Sequence, residues 1–206
     1  MGAFRITKPA WGEHLHLRQA LWEFAKRHPL IRISLRSSDA PADLVKQGFD
    51  LAIGLGTLAD SSLKSRRLGH FETVLVAAPG YLATRQPVRS LDDLASCDFI
   101  GVSMLSGTVT LQRGGRAIAV DPEHVRQEVD TIASARPAVL AGLGIRHLPL
   151  REVQDDIDAG RLTRVLPDWT MPELGVFAVW PDSGPQKLLT RRLIDFFVDR
   201  EPRRLL

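Results

Sequence analysis

The residue types that most often carry out chemistry are present in this chain, but not at the spacings chemistry requires. His14 and His16 are two residues apart, which on a helix sends them to nearly opposite faces, whereas joint metal ligation wants ligands three or four positions apart. They read as surface histidines. The single cysteine, Cys97, can form neither an intrachain disulfide nor a zinc cluster. Serines, histidines and aspartates all occur, yet there is no G-x-S-x-G elbow, and no spacing assembles a nucleophile with its base. Gly54-Leu55-Gly56-Thr57-Leu58-Ala59 formally matches the dinucleotide pattern G-x-G-x-x-A. Its context does not: 59–67 lacks helical apolar periodicity, and no acidic residue ends a second strand at the needed spacing. A strand ending in a glycine-rich bend explains the motif. No catalytic residue, metal ligand or cofactor is expected, which leaves recognition.

The elements that would position a recognition site follow from hydrophobic periodicity. Phe4-Arg5-Ile6-Thr7 alternates as a short strand, and Lys8-Pro9-Ala10-Trp11-Gly12 breaks it. From Glu13 to His28, Leu17, Leu21 and Phe24 make one apolar stripe of a helix, which His28-Pro29 ends. Ile31, Ile33 and Leu35 alternate with polar residues as a strand. Ser37-Ser38-Asp39-Ala40-Pro41 then reads as the start of a short helix stopped by Gly48, and Phe49 to Leu55 as a buried strand. Strand, helix, strand, helix, strand makes two crossover units and implies a parallel sheet. Beyond them, Thr73 to Ala78 and Phe99 to Ser103 read as strands, Gly114-Gly115 as a hairpin turn, and Val125 to Val129 as a strand. A helix over Ala135 to Leu143 should begin near Ile132 to Ser134, because Pro137 is tolerated best in a first turn. A strand at Ile145 to Leu148 precedes a helix at Val153 to Gly160, with Asp155, Asp156 and Asp158 expected to face water. Val176 to Trp180 is a strand, and Lys187 to Val198 a helix with Leu189, Leu193 and Phe196 turned inward.

This topology points to a binding edge. Lys8, Pro9 and Trp11, then Ser37, Ser38 and Asp39, then Val102 to Ser106, then Asp130 to Ser134 all lie at carboxyl ends of strands, where free amides gather beside helix N-termini and ligands bind in open α/β sheets. Lys8 would place a cation there and favour an anionic small molecule such as a carboxylate. The alternative is a solvated loop lysine. Trp11 either stacks on a flat ligand or, as we favour, pins a helix to its sheet.

Composition excludes several other classes. The 206 residues carry 27 Lys and Arg against 24 Asp and Glu, a net charge of +3, but the cations are scattered and lack the aromatic interleaving of a nucleic-acid platform. No apolar run approaches the roughly 18 residues of a membrane helix, and MGAFRITKPAWG lacks the plan of a secretion signal. A cytoplasmic protein is expected.

The string from Ser38-Asp39 through Asp43-Leu44-Val45, Gly48-Phe49-Asp50-Leu51-Ala52-Ile53, Leu58 to Leu63 and Arg66-Arg67-Leu68-Gly69 strongly resembles the effector-binding domain of LysR-type transcriptional regulators. Ala78-Pro79-Gly80-Tyr81-Leu82, Ala141-Gly142-Leu143-Gly144-Ile145 with Leu148-Pro149, Val165-Leu166-Pro167-Asp168-Trp169 and Leu193-Ile194-Asp195-Phe196-Phe197 continue the resemblance in the family's order. It implies an α/β fold of two Rossmann-like lobes, similar to type 2 periplasmic binding proteins. Residues 1–76 with 175–206 would form lobe I and 77–174 lobe II, with crossovers near Val76 and Gly175. Residues matching the family's inducer-contacting positions are Lys8, Ser37 to Asp39, Val102 to Met104 (Val102, Ser103, Met104) and Asp130-Thr131. The family's winged helix-turn-helix and linker helix do not precede Phe4, so this chain is expected not to bind an operator, and DNA would be a partner only through that domain. The resemblance implies a small-molecule effector in the inter-lobe cleft and a homodimer or tetramer. A stand-alone solute-binding protein is the alternative. Two departures stand out: Gly54 sits where relatives often carry Arg, and Arg146-His147 replaces small or apolar residues after G-x-G-I.

Overall fold

The computed structural model describes residues 3–10, 17–39, 43–56, 63–103, 107–182 and 187–199. Their contacts divide the chain into two units, Met1–Phe71 with Leu174–Leu206, and Glu72–Glu173. The first boundary falls ahead of Val76 because Thr73–Ala77, expected to close the first lobe, pairs wholly within the second unit. Among the described residues no helix is long and apolar enough to cross a membrane.

In unit 1, strand β1 (Phe4–Lys8) leads into helix α1 (Leu17–Arg27), then β2 (Ile33–Ser37), β3 (Leu51–Leu55) and β4 (Leu63–Phe71). The alternation of Phe4 and Ile6 and the stripe of Leu17, Leu21 and Phe24 bury as the sequence predicts, with Ala20 added. β1 pairs in parallel with both β2 and β3, so the expected parallel core is present. The segment expected as a helix before Gly48 differs. Its residues 40–42 lie outside the described residues, and 43–48 close one turn, with Gln47 N donating to Asp43 O at 2.9 Å and Gly48 N to Val45 O at 3.2 Å. Five residues before a glycine at φ +66° are too few to propagate a helix. Strand β12 (Leu174–Pro181) returns from unit 2 and inserts antiparallel between β3 and β4, giving the order β2-β1-β3-β12-β4. Helix α6 (Lys187–Val198) packs on α1, with Phe24 and Phe196 edge to face at 5.4 Å. Its deepest side chains are Leu193, Ile194 and Phe197.

Unit 2 is built on β5 (Thr73–Ala77), all five of whose residues are buried. After the short helices α2 (Pro79–Ala83) and α3 (Leu91–Ala95) come β6 (Asp98–Val102), the β7 (Val109–Arg113) and β8 (Arg116–Val120) hairpin, and β9 (His124–Val129). Gly114 and Gly115 at φ +57° and +78° form the predicted hairpin turn. Helix α4 (Ile132–Leu140) begins where expected, capped by Thr131, but Pro137 is its sixth residue rather than part of the first turn. Without an N–H, that proline leaves the Ala133 carbonyl no partner four residues on. Strand β10 (Arg146–Pro149), helix α5 (Leu150–Asp158) and the two-residue β11 (Thr163–Arg164) complete the unit. Asp156 does not face water. It is 1% exposed, accepting from Arg136 Nη2 at 2.6 Å and Arg161 Nη2 at 2.7 Å, a pairing that makes burial of its charge tolerable. Two apolar clusters lie on opposite faces of the strands: one holds Leu75, Phe99 and Ile145, the other Val74, Val76, Ile100, Val102, Ala135, Val139 and Leu148.

Candidate functional site

In unit 1 the expected site residues meet at the carboxyl ends of β1 and β2. Lys8 lies opposite Ser37 in the parallel ladder, and Ser38 N continues it by donating to Lys8 O at 2.9 Å. Asp39 then folds over the end of β1, its Oδ1 accepting from Ala10 N at 2.7 Å, while its Oδ2 is enclosed and has no hydrogen-bond partner among the described residues. The Lys8 side chain is not a solvated loop lysine: the residue is 8% exposed, and Nζ donates to Pro9 O at 2.7 Å. Lys8, Pro9, Ser37, Ser38 and Asp39 therefore form one hydrogen-bonded cluster. Trp11 lies outside the described residues.

The unit 2 residues converge at the matching edge of β6 and β9. Val102 pairs with Val129, and Ser103 N donates to Val129 O at 2.9 Å, so the chain leaves both strands side by side. Asp130 and Thr131 follow directly. The Thr131 hydroxyl caps α4, accepting from Ser134 N at 3.2 Å and lying 2.7 Å from Ser134 Oγ. The start of α4, with its positive dipole end, thus stands at this edge. Met104 lies outside the described residues.

Away from these edges, Cys97, Tyr81 and Asp98 form a buried polar group in unit 2. Burial pushes the Cys97 thiol up from its usual value, and Sγ donates to Asp93 O at 3.3 Å. Burial pushes Tyr81 up to about 12, and its hydroxyl accepts from Asp98 N at 2.8 Å. Asp98 is itself buried, paired with Arg85 and with Arg126 Nε at 3.1 Å. Among the described residues no group of three or more His, Cys, Asp or Glu side chains could hold a metal. An open depression of about 630 Å³, lined in part by Pro79, Tyr81, Leu140, Gly142 and Arg161, contains none of the expected site residues.

Two residues outside the expected site are chemically conspicuous. Arg146 is 2% exposed, donates from Nη1 to Ile100 O at 3.3 Å, and has an enclosed Nη2 without an acceptor among the described residues. Burial lowers it to about 10. Next to it, His147 is lowered to about 3, first by burial and then by the Arg146 charge, and its Nδ1 is enclosed without a partner. The sequence carries the signal for both, an Arg-His pair inside the otherwise apolar Ile145-Arg146-His147-Leu148-Pro149 strand.

Comparison with known proteins agrees with this architecture. Residues 1–202 match the family model of the LysR substrate binding domain. The chain is 35% identical to the HTH-type transcriptional regulator PtxR of Pseudomonas aeruginosa, over 99% of its own length and 67% of that protein's. It is 30% identical to the uncharacterized HTH-type transcriptional regulator YhjC of Escherichia coli, over 93% of its length and 64% of that protein's. It thus spans about two thirds of these relatives. Among solved structures, the regulatory domain of an AphB variant from Vibrio vulnificus superposes with a TM-score of 0.80 at 25% identity, covering 97% of this chain and 98% of that one. The CrgA regulatory domain from Neisseria meningitidis gives 0.75 at 27% identity, with coverage of 97% and 98%. A parallel-cored α/β unit assembled from both ends of the chain, a second α/β unit between them, and a match over nearly the whole length place this chain in the LysR substrate-binding domain family.

Proposed function

We propose that the chain senses a small anionic metabolite, such as a carboxylate, in the cleft between its lobes and does not transform it. Lys8, Pro9, Trp11, Ser37, Ser38 and Asp39 would contact the effector from one lobe, and Val102, Ser103, Met104, Asp130 and Thr131 from the other. The observation that carries this reading is the cluster at the end of β1 and β2. It joins a cation, small hydroxyls and an enclosed carboxylate oxygen that has no partner among the described residues at a sheet edge, the polar equipment of a ligand site rather than of a packing surface. The capped N-terminus of α4 supplies the complementary positive end in unit 2. The effector would bind one lobe arrangement better than another, and that difference in affinity would set how far the population shifts. In a cytoplasmic regulator carrying DNA-binding domains, the shift would re-pack a homodimer or tetramer and so alter transcription.

A thermal-shift screen of carboxylate metabolites tests this, with each hit re-measured on Lys8→Ala. Hits should raise the melting temperature and lose about tenfold or more in affinity without the lysine, as expected for a charge-assisted hydrogen bond. Anionic hits that keep full affinity, or a hit consumed catalytically, overturn the reading.

A further inference from the structure

Among the described residues of unit 2, the deeply buried charges are answered, with one exception. Asp98 is paired with Arg85 and Arg126, and Asp156 with Arg136 and Arg161. Arg146, just as deeply buried, has no carboxylate partner among the described residues, and its enclosed Nη2 donates to nothing. A buried guanidinium without a counter-charge is among the most costly arrangements a domain can keep. Its surroundings are also irregular. β6 and β10 run in the same direction but pair through a single bridge, Phe99 with Ile145, closed by Ile145 N to Asp98 O at 2.9 Å and Ile100 N to Ile145 O at 3.0 Å. There the ladder ends. Ile100 O, which a backbone amide of β10 would take in the next rung, accepts instead from Arg146 Nη1. The guanidinium therefore stands at the end of a broken ladder, on the strand face covered by α4 and two residues short of the Val102–Ser103 edge where α4 begins.

We propose that Arg146 is the counter-ion for a small oxyanion, a carboxylate or a phosphate, admitted to unit 2 where the β6–β10 ladder ends. The inference rests on the sensing function proposed above, since the oxyanion would be a group of the effector, and it makes Arg146 a specificity-determining residue. One oxygen accepts from Nη2 and completes the hydrogen bonding of the guanidinium. The positive end of α4 favours negative charge at this edge. An oxyanion accepting from Nη2 would offset the cost of burying the guanidinium without a counter-charge, which gives the ligand a differential affinity for the arrangement that admits it.

The test titrates the chain with acetate, succinate and inorganic phosphate at constant ionic strength, following melting temperature and the backbone amide resonances of Ile100, Arg146 and His147. Wild type should be stabilised with shifts at those amides, and the carboxylate and phosphate arms tell which oxyanion is preferred. Arg146→Met keeps the stem and removes the charge. It should melt no lower than wild type without ligand and bind the effective probe about 10- to 100-fold more weakly. Arg146→Lys, which keeps a charge but loses the planar fork, should fall between the two. A ligand-free Arg146→Met that melts well below wild type makes the arginine a structural residue and overturns the proposal. So does undiminished probe binding by that variant, or a wild type that no probe stabilises. Lys8→Ala, run in parallel, separates the two readings: loss with Lys8→Ala alone removes this inference and spares the sheet-edge site, whereas loss with Arg146→Met alone does the reverse.

Discussion

A histidine whose enclosure disfavours its protonated form makes the stability of the protein sensitive to acid. His147 is lowered from 6.5 to about 3, mainly by burial and further by Arg146, so the native state keeps it neutral while the unfolded chain protonates it near pH 6.5. Between those values the unfolded state binds more protons, and stability falls as pH falls. Above about pH 7.5 the group contributes almost no pH dependence. The slope approaches about 1.4 kcal/mol per pH unit below pH 6 and is about half that at pH 6.5, so about 1.7 kcal/mol is lost between pH 6.5 and pH 5. We expect His147→Leu to flatten the melting temperature over this window relative to wild type. An unchanged slope in chemical denaturation at pH 5 and pH 6.5 would show that the ring is solvated. Asp156 gives the complementary lesson. Its position between Asp155 and Asp158 on a charged helix suggested a wet face, but the neighbours that bury it, Arg136 and Arg161, lie 20 and 5 residues away and form no local pattern. Lys8 and Asp39 were identifiable from their places at strand ends. Arg146 was visible only as a departure from a resembling motif, because an isolated arginine in an apolar strand has no spacing to interpret.

Elements with a strong period could be read from sequence, and those held by partners could not. β1, β5 and α1 carry their burial in alternation, an apolar run or a 3.6-residue stripe. β4 does not: its first five residues, Leu63 to Arg67, are partly or fully exposed, and the element exists because β12 pairs along its length. α3 is five residues long, too short for any period. It is stabilised by a capping box in which Ser90 Oγ accepts from Asp93 N and Asp93 Oδ2 accepts from Ser90 N. Glycine positions allow a sharper test of what holds an element. At Gly144, φ is +156° and a Cβ would lie 2.5 Å from the Asp98 carbonyl oxygen, part of the bridge that joins β10 to β6. Gly115, at φ +78°, has nothing within 4 Å of a Cβ. Gly144→Ala should cost about 3 kcal/mol or more through backbone collision, and Gly115→Ala only about 1 kcal/mol of backbone strain. Equal denaturation midpoints for the two variants would mean that the β6–β10 junction yields more easily than its geometry implies.

At the scale of the molecule, the chain order determines which unit can exist alone. Unit 2 is continuous from Glu72 to Glu173 and holds two apolar clusters of its own, whereas unit 1 needs β12 from beyond unit 2 to join β3 to β4. The interleaving was legible through the family resemblance, since no local pattern says that Leu174–Pro181 returns to the first sheet. The resemblance implies a first crossover near Val76, and β5 by its own pattern reads equally well as the last strand of one unit or the first of the next. Only its pairing with β10 and β11 decides. The register of β4 and β12 offers a decisive experiment. Phe71 and Leu174 are directly opposed in an antiparallel ladder, so their Cα atoms are about 5 Å apart, a gap that a two-residue Asn-Gly turn closes as a β-hairpin. A chain of residues 1–71, Asn-Gly and 174–206 should therefore fold to unit 1 alone, with the β1 to β3 parallel core intact, and residues 72–173 should fold separately as unit 2. Each should melt cooperatively and give dispersed amide resonances. If the shortened unit 1 is instead collapsed without fixed packing, the two units complete one another's cores, and the lobes of this family member cannot act as independently folded bodies whose rearrangement carries a signal.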